Sequence, residues 1–362
     1  IHTTTLNTAG GTNIGADLNT TSKQIISSYG TAAGTFNITL GVVDNYTSPG
    51  DPGSASNVYH QLPIDDSGQI QLSTTQINNV AIAATSNGQP AAAWVDFSTG
   101  VATTGRLKYS LRSGRSATDP WKVFIVPGAF AASAPQYPNL AFDHNDQPWI
   151  AYWDAQAAGA GRFILATNTS QDGSGLWTSY QFPVLAAGHG APAAQPAANT
   201  PAIAMSYTNG VAVPVMIVID NGTTPAVKAA SFNPTTSAWS AVTTIESLNA
   251  NGAAFLTADW STSSNQIVVA YQSLRAGLVR VKYSASTDAG LTWPVNSSTA
   301  FSVSMITQGE GTTIKLNPLT GKPSIAYYDR TNARLFVADC TANCTGTGHP
   351  RLLESIRPLL AA

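Results

Sequence analysis

The sequence is poor in charged side chains, and this shortage excludes two classes of protein. Only 10% of its 362 residues are Asp, Glu, Lys or Arg, whereas the average for soluble proteins is about 25%. With 17 basic residues and a net charge of -2, the chain lacks the positive field that binds a phosphate backbone, so we exclude nucleic-acid binding. Disorder is excluded because 43% of the residues are hydrophobic, a composition that supports a packed core.

Long apolar runs are absent as well. The longest clear one, from Val215 to Ile219, has the length of a strand and falls far short of the ~18 residues that span a bilayer. Apolar residues at helical spacing are missing everywhere except between Leu352 and Leu360. We therefore predict an all-β chain with no membrane span.

Cysteine is scarce, and the two that occur are close together. Cys340 and Cys344 are too far apart for a C-x-x-C redox motif, and no second pair or histidine cluster accompanies them as a zinc site requires. We predict a local disulfide and hence an oxidising location outside the cytoplasm. The chain begins at Ile1 with neither an initiator Met nor a signal, so we expect a secreted or surface-displayed protein whose targeting segment has been removed.

A short apolar strand that ends in an acid recurs along the chain. Successive copies end 52 to 66 residues apart, which is the self-similarity of a repeat architecture. In four of the six copies a proline stands six residues before the end. Proline has no N–H to donate to a neighbouring strand, and it is tolerated at the first residue of a strand. The terminal residues are Asp44, Asp96, Asp154, Asp220, Gln272 and Asp329.

The rest of each copy predicts three further strands. An apolar strand precedes the proline, an alternating strand with a basic residue follows the acid, and a last strand opens on tryptophan in four copies. Each copy is thus four antiparallel strands. A ring of such units buries the faces of its sheets and leaves only short edges, so we predict a six-bladed β-propeller.

The blades are predicted at residues 24–79, 80–132, 133–195, 196–250, 251–306 and 307–362. Residues 1–23 fall outside this count and are rich in Thr, Asn and Gly. Terminal segments are ordered only when they are tied down. We expect this segment either to donate a strand that closes the ring or to dock on a partner subunit.

One turn matches the pattern S-x-D-x-G-x-T-W. Its fixed residues are Ser286, Asp288, Gly290, Thr292 and Trp293. The pattern resembles the Asp box of sialidase-like propellers, and a degenerate copy contains Ser170, Asp172, Gly175 and Trp177. The resemblance implies a structural role, in which the Ser and Asp bond turn amides, the Gly adopts a positive φ, and the Trp fills the gap between blades.

The last predicted blade resembles repeats of bacterial secreted or surface-displayed propellers. The resemblance is carried by the strand from Pro323 to Asp329, by the following segment from Leu335 to Cys340, and by Cys344 with Thr345. It implies an extracellular propeller and no catalytic residues.

The sialidase resemblance implies an enzyme as the alternative function. Sialidases need an arginine triad, a tyrosine nucleophile paired with a glutamate, an aspartate acid/base, and an Arg-Ile-Pro motif in the first blade. This sequence has no Arg-Ile-Pro, has no arginine before Arg106, and contains three glutamates. Nothing in the sequence joins Tyr327 to Glu310, the pair that one could propose. We identify no catalytic residues, because a shared fold does not confer an active site.

The repeated acids have two interpretations. Each follows the second strand of its blade, so Asp44, Asp96, Asp154, Asp220, Gln272 and Asp329 could form a ring at the channel mouth that binds a ligand or Ca²⁺. Alternatively they pair across hairpins with the basic residues that follow them, which are Arg106, Arg162, Lys228, Arg280 and Arg334. Beyond this optional Ca²⁺ we predict no cofactor, and we predict no metal site.

Three tryptophans stand outside the blade series. These are Trp149, Trp153 and Trp260, and an exposed one could stack on a sugar ring. Fold motifs without a catalytic set favour a non-catalytic propeller that binds either a glycan or a protein partner in an extracellular assembly.

Overall fold

A computed structural model describes part of the chain. The described residues are 3–7, 13–19, 24–25, 41–44, 58–61, 77–96, 105–115, 119–128, 134–155, 161–183, 200–208, 210–222, 224–248, 253–261, 266–275, 278–293, 298–299, 309–317, 320–329, 334–339 and 357–358. They contain strands and turns, and none of them belongs to a helix that could cross a membrane. Cys340 and Cys344 lie outside the described residues.

The chain divides into two compact units. The first comprises residues 1–71 and 113–121, and the second comprises residues 72–112 and 122–362. In the first unit, β1 (Thr3–Asn7), β2 (Asn13–Asn19) and β3 (Gln24–Ile25) form an antiparallel sheet in that order. A second, two-stranded antiparallel sheet joins β4 (Gly41–Asp44) to β5 (Val58–Gln61). The strands described within residues 1–25 thus pair with one another.

The second unit contains five antiparallel sheets, numbered I to V. One residue of sheet I, Trp121, belongs to the first unit. Sheet I contains β6 (Ile77–Ala84), β7 (Pro90–Asp96), β8 (Arg106–Arg112) and β9 (Trp121–Ile125). Sheet II contains β10 (Pro135–Phe142), β11 (Pro148–Asp154), β12 (Arg162–Asn168) and β13 (Trp177–Gln181). Sheet III contains β14 (Ala202–Thr208), β15 (Val211–Asp220), β16 (Ala226–Asn233), β17 (Ala238–Trp239) and β18 (Thr243–Ser247), of which β17 and β18 both pair with β16.

The last two sheets have the same strand order. Sheet IV contains β19 (Ala253–Ser261), β20 (Gln266–Arg275), β21 (Leu278–Ser286) and β22 (Ser298–Thr299). Sheet V contains β23 (Gly309–Leu316), β24 (Pro323–Asp329), β25 (Arg334–Asp339) and β26 (Arg357–Pro358). The prediction of an all-β chain built from four-stranded antiparallel sheets is confirmed. The count of six blades stays a prediction, because the described residues of the second unit form four four-stranded sheets and one five-stranded sheet.

Each sheet packs face to face on the next one along the chain. Separate apolar clusters join sheet I to II, II to III, III to IV, and IV to V. In β11, Ile150 and Tyr152 face sheet I, whereas Trp149, Ala151 and Trp153 face sheet III. Because successive side chains of a strand point to opposite faces, a sheet between two neighbours needs apolar residues at every position of its central strands. This explains the apolar runs before each acid.

The turn after β21 anchors sheet IV to sheet III. Gly290 N and Thr292 N donate hydrogen bonds to Ser286 Oγ and Asp288 Oδ1 at 2.9 Å each. Trp293 Nε1 donates to Gly290 O at 3.1 Å, and its ring is buried in the cluster between the two sheets. Burial raises the pKa of Asp288, but hydrogen bonds from Thr292 and Ser286 outweigh it and hold this pKa below its usual value.

The turn after β12 performs the same task with different residues. Asn168 Oδ1 accepts from Ser170 N at 2.7 Å, and Asn168 Nδ2 donates to Gly173 O at 3.1 Å. Gly173 has a φ of 86° and its carbonyl accepts from Trp177 Nε1 at 3.1 Å. Gly173 therefore holds the left-handed position that the sequence had assigned to Gly175, since this turn is longer and the side chain of Asn168 occupies its start.

Gly290→Ala tests how closely the turn after β21 packs on sheet III. Gly290 has a φ of +80° and a Cβ there would lie 2.8 Å from Val215 Cγ1, so alanine adds both left-handed strain and a clash. We expect the free energy of unfolding in urea to fall by about 2–4 kcal/mol. Gly210→Ala is the matched control, because its φ is +77° but nothing lies within 4 Å, and it should cost only about 1 kcal/mol. Equal losses would contradict close packing.

Candidate functional site

The structure places the five predicted acids at the ends of strands. Asp96, Asp154 and Asp220 end β7, β11 and β15, and all three side chains are buried. Asp44 and Asp329 end β4 and β24, but their side chains are not described. Among the described side chains, no group of three or more His, Cys, Asp or Glu residues could hold a metal ion.

The buried acids are held by specific partners. Asp220 Oδ2 lies 2.6 Å from Lys228 Nζ, and Asp220 Oδ1 accepts from Gly222 N at 3.1 Å. Asp154 Oδ1 accepts from Ala134 N at 2.8 Å. Asp96 forms an ion pair with Lys108. These contacts use the carboxylates to stabilise the sheets.

Three of the five expected hairpin partners stand directly opposite their acids, but the ion pairs of Asp96 and Asp220 are diagonal. Asp96, Asp154 and Asp329 stand opposite Arg106, Arg162 and Arg334. The ion pair of Asp96 nevertheless goes to Lys108, two residues beyond Arg106. Lys228 likewise lies two residues beyond Ala226, the residue opposite Asp220. The lysine partner is therefore diagonal, on the same face of the sheet as the acid.

In sheet IV the residue at the acid position differs from the predicted one. Arg280 stands opposite Ser273, whereas Gln272 stands opposite Val281. The prediction that Gln272 replaces the acid, with Arg280 opposite it, is therefore wrong by one residue, and Ser273 holds the position. Because a shift of one residue reverses the face, Gln272 points toward sheet V with Val268 and Ala270. Its amide is buried and has no hydrogen-bond partner among the described residues.

A glutamate from sheet III replaces this missing acid. Lys282 occupies the same register position as Lys108 and Lys228, and its Nζ lies 3.0 Å from Glu246 Oε1 on β18. Tyr271 donates a hydrogen bond to the other carboxylate oxygen of Glu246. The lysine is thus neutralised across the sheet boundary, a contact that the sequence alone did not reveal. The signal available in the sequence was Lys282, a lysine at the repeated third-strand position in a copy that lacks the second-strand acid.

A cavity of about 590 Å³ lies near the C-terminal ends of the first strands, away from the buried acids. Its lining comes from the first strands of all five sheets and includes the last residues of β6, β10 and β19. The acids lie instead at the starts of these strands, since Asp96 pairs with Ile77 and Asp154 with Pro135. The polar lining residues are Asn139, Thr257, Asp259, Ser261, Lys315 and Asn317.

One ion pair and one tryptophan stand out in the cavity. Asp259 Oδ1 lies 3.1 Å from Lys315 Nζ, and Asp259 Oδ2 accepts from Leu316 N at 2.7 Å. Trp260 lines the cavity and is partly buried against the clusters on both sides of sheet III. Of the three tryptophans outside the blade series, Trp149 and Trp153 are fully enclosed in the core. Trp260 is therefore the one placed to touch a ligand.

Lys228→Met tests whether the second-strand acids depend on their lysines. The Asp220 side chain is 0% exposed, so loss of the lysine leaves a buried carboxylate without its cation. We expect the free energy of unfolding to fall by about 3–5 kcal/mol, measured by urea denaturation.

Lys122→Met is the matched control for that substitution. Lys122 Nζ lies 2.8 Å from Asp172 Oδ2 and its side chain is 52% exposed. Its hydrogen bond, with those from Ser174, lowers the pKa of Asp172 to about 2, but solvent screening limits the loss on substitution to under about 1 kcal/mol. A similar loss for both variants would contradict the role assigned to burial.

Comparisons with known proteins support the fold alone. No protein-family model matches the sequence, and no curated protein matches it. An α-L-arabinofuranosidase from Fusarium graminearum, solved with an iminosugar inhibitor, is 12% identical with a TM-score of 0.50 over 75% of this chain and 79% of its own. A Dyadobacter fermentans protein of unknown function is 14% identical with a TM-score of 0.49 over 75% of this chain and 80% of its own.

A third solved structure is a Hadza microbial sialidase. It is 12% identical with a TM-score of 0.47, over 73% of this chain, and the chain spans 56% of the sialidase's length. These identities are too low to transfer an activity. The chain is similar in fold to glycoside hydrolases of the β-propeller type.

Proposed function

We propose that this chain is a non-catalytic, carbohydrate-binding β-propeller that works outside the cell and takes its ligand in the cavity between the first strands. The observation that carries the proposal is the cavity itself, with its polar lining and Trp260. The extracellular location is supported by the low charge of the chain, and labelling of intact cells would test it.

The cavity has the size and chemistry of a small-ligand site. Its volume of about 590 Å³ lies within the roughly 300–1,000 Å³ of typical ligand pockets. Amide, hydroxyl and carboxylate groups line it, which match the hydroxyl groups of a sugar, and an indole ring can pack on the apolar face of a pyranose. Contributions from five separate sheets make it rigid, which lowers the entropic cost of binding.

The same lining argues against hydrolysis. Glycosidases generally place two carboxyl groups about 5–10 Å apart across the scissile bond. Asp259 is the one carboxylate among the lining residues that the structure describes. It also holds an ion pair and a backbone hydrogen bond, so these contacts fix the position of its carboxylate as a binding group.

The alternative, a sialidase-like hydrolase, is favoured by one contact. The hydrogen bond from Tyr271 to Glu246 pairs the residue types that such an enzyme uses as its nucleophile. Against this, Tyr271 is 0% exposed and sits in the cluster between sheets III and IV, where a substrate does not reach it. The pair with Lys282 accounts for Glu246 as a structural residue.

The proposal includes an Asp-box reading of the turns. It is supported by the hydrogen bonds of Ser286, Asp288 and Thr292 and by the positive φ of Gly290. The disulfide of Cys340 and Cys344 belongs to the same proposal, as does the resemblance of the last blade to secreted repeats. We assign the second-strand acids to the stability of the blades, on the strength of their buried partners.

Six blades are also part of the proposal, with the first from residues 24–79. Sheet I supports it, because on the face directed away from sheet II its outer strands, β6 and β9, leave Val80, Ile82, Val123 and Ile125 exposed, and Ile82 is 77% exposed. The corresponding faces of sheets II to V are packed on the preceding sheet. A further blade would cover this face. Residues 1–23, whose strands pair within the first unit, would then be available as a docking arm.

Ile125→Lys tests the sixth blade. If another blade covers this face, a lysine there buries a charge, and we expect the free energy of unfolding to fall by more than about 2 kcal/mol. Leu176→Lys, at an exposed position in the turn after β12, is the control and should change stability by less than about 0.5 kcal/mol. Matching small changes in urea denaturation would count against a covering blade.

Binding without turnover tests the proposed function. We expect the chain to bind immobilised oligosaccharides on a glycan array and to release nothing from fluorogenic sialosides and pentosides. Trp260→Ala should abolish binding, and Trp260→Phe should keep part of it because a ring remains. Circular dichroism of each variant checks that it is folded. Turnover that disappears in Tyr271→Phe would instead establish the hydrolase.

A further inference from the structure

We infer that the cavity selects a neutral pyranoside over an acidic sugar. This inference rests on the proposed function and adds the class of ligand. It follows from the contacts that the charged lining residues already make with each other. The groups concerned are Asp259, Lys315, Asn139 and Trp260.

The described lining carries no net charge. Asp259 and Lys315 are its charged residues, and they form an ion pair with each other at 3.1 Å. The lysine side chain is 74% exposed and the aspartate side chain is 12% exposed, so the lysine stands at the edge and the carboxylate lies deeper. A ligand entering the cavity therefore meets the carboxylate as the innermost charge.

The carboxylate of Asp259 is set up to accept hydrogen bonds from hydroxyl groups. Each of its oxygens has two acceptor sites, and the contacts to Lys315 Nζ and Leu316 N occupy one on each oxygen. The second site on each oxygen is suited to one of two neighbouring sugar hydroxyls. Charged acceptors form the stronger hydrogen bonds, so this pair would supply much of the affinity.

An acidic sugar fits this arrangement poorly. Its carboxylate would approach that of Asp259, and like charges repel strongly in a recessed site. Lys315 offers little compensation because Asp259 already neutralises it. The ion pair thus weakens the binding of acidic ligands and strengthens that of neutral ones. Specificity commonly arises from such a combination of repulsion and attraction.

Trp260 supplies the apolar part of the recognition. Its ring is packed against two clusters on the faces of sheet III, so little side-chain freedom is lost when a ligand binds. An aromatic face packs on the C–H groups of a sugar whether or not the sugar is charged. Trp260 therefore determines binding, and Asp259 with Lys315 determines the choice between ligands.

Two pairs of methyl glycosides test the inference by titration calorimetry. Methyl galactoside is compared with methyl galacturonide, and methyl glucoside with methyl glucuronide, since each pair differs in a hydroxymethyl group and a carboxylate. We expect the neutral member of a pair to bind at least about tenfold more tightly than its acidic counterpart. Asp259→Asn should weaken neutral binding about tenfold and reverse the preference, because Lys315 is then unpaired. Lys315→Met should keep the preference for the neutral sugar.

Asp146→Asn is the matched control. Asp146 also joins two sheets, through hydrogen bonds of 2.6 Å and 2.8 Å from Ser86, but it does not line the cavity. It should leave both affinities unchanged. Tighter binding of the uronides, lost in Trp260→Ala, would overturn the neutral preference and leave the proposed function standing. Failure of every glycan to bind the folded wild-type chain would overturn the proposed function itself.

Discussion

The burial of both faces of each sheet is the constraint on which the second unit depends. A sheet between two neighbours has no solvent-facing side, so its central strands become continuous apolar runs such as Trp149 to Trp153 in sheet II. Most of the stabilising area then lies between sheets, and each sheet is held by the one before it and the one after it. The central strands therefore have few positions for charged side chains, which explains why so few charges suffice.

The same constraint decides what happens to the charges that remain. Two of the buried acids at the ends of second strands, Asp96 and Asp220, pair with a cation on the same face of their sheet. Lys108 and Lys228 supply it from the third strand. In sheet IV the acid has become Ser273, and Glu246 from sheet III takes over the pairing with Lys282. Breaking a buried pair costs more than making it contributes, so the replacement restores a partner rather than adding stability.

The sequence was most informative where the periodicity is local. It predicted the strands that end in Asp96, Asp154 and Asp220, because the apolar runs and their turn residues lie within one copy of the repeat. It placed the fifth position of the series at Gln272, one residue before Ser273, because neither residue is an acid that marks the end of the repeated strand. Diagonal ion pairs and the contact of Glu246 depend on side-chain direction and on a neighbouring sheet. The cavity needs five strands from distant parts of the chain, so no local pattern could reveal it.

Both ends of the first strands carry polar groups, but they use them differently. Near the second-strand ends, Asp154 and Asp220 are buried and bound to lysine or backbone amides, so further binding there would require breaking stabilising contacts. At the other end, Asp259 bonds to Lys315 and Leu316 while still lining an open cavity. A ligand at this end adds hydrogen bonds without removing any. The proposed ligand site therefore lies at the end where the sheets leave space between them, whereas the acids at the opposite end are occupied by contacts within the sheets.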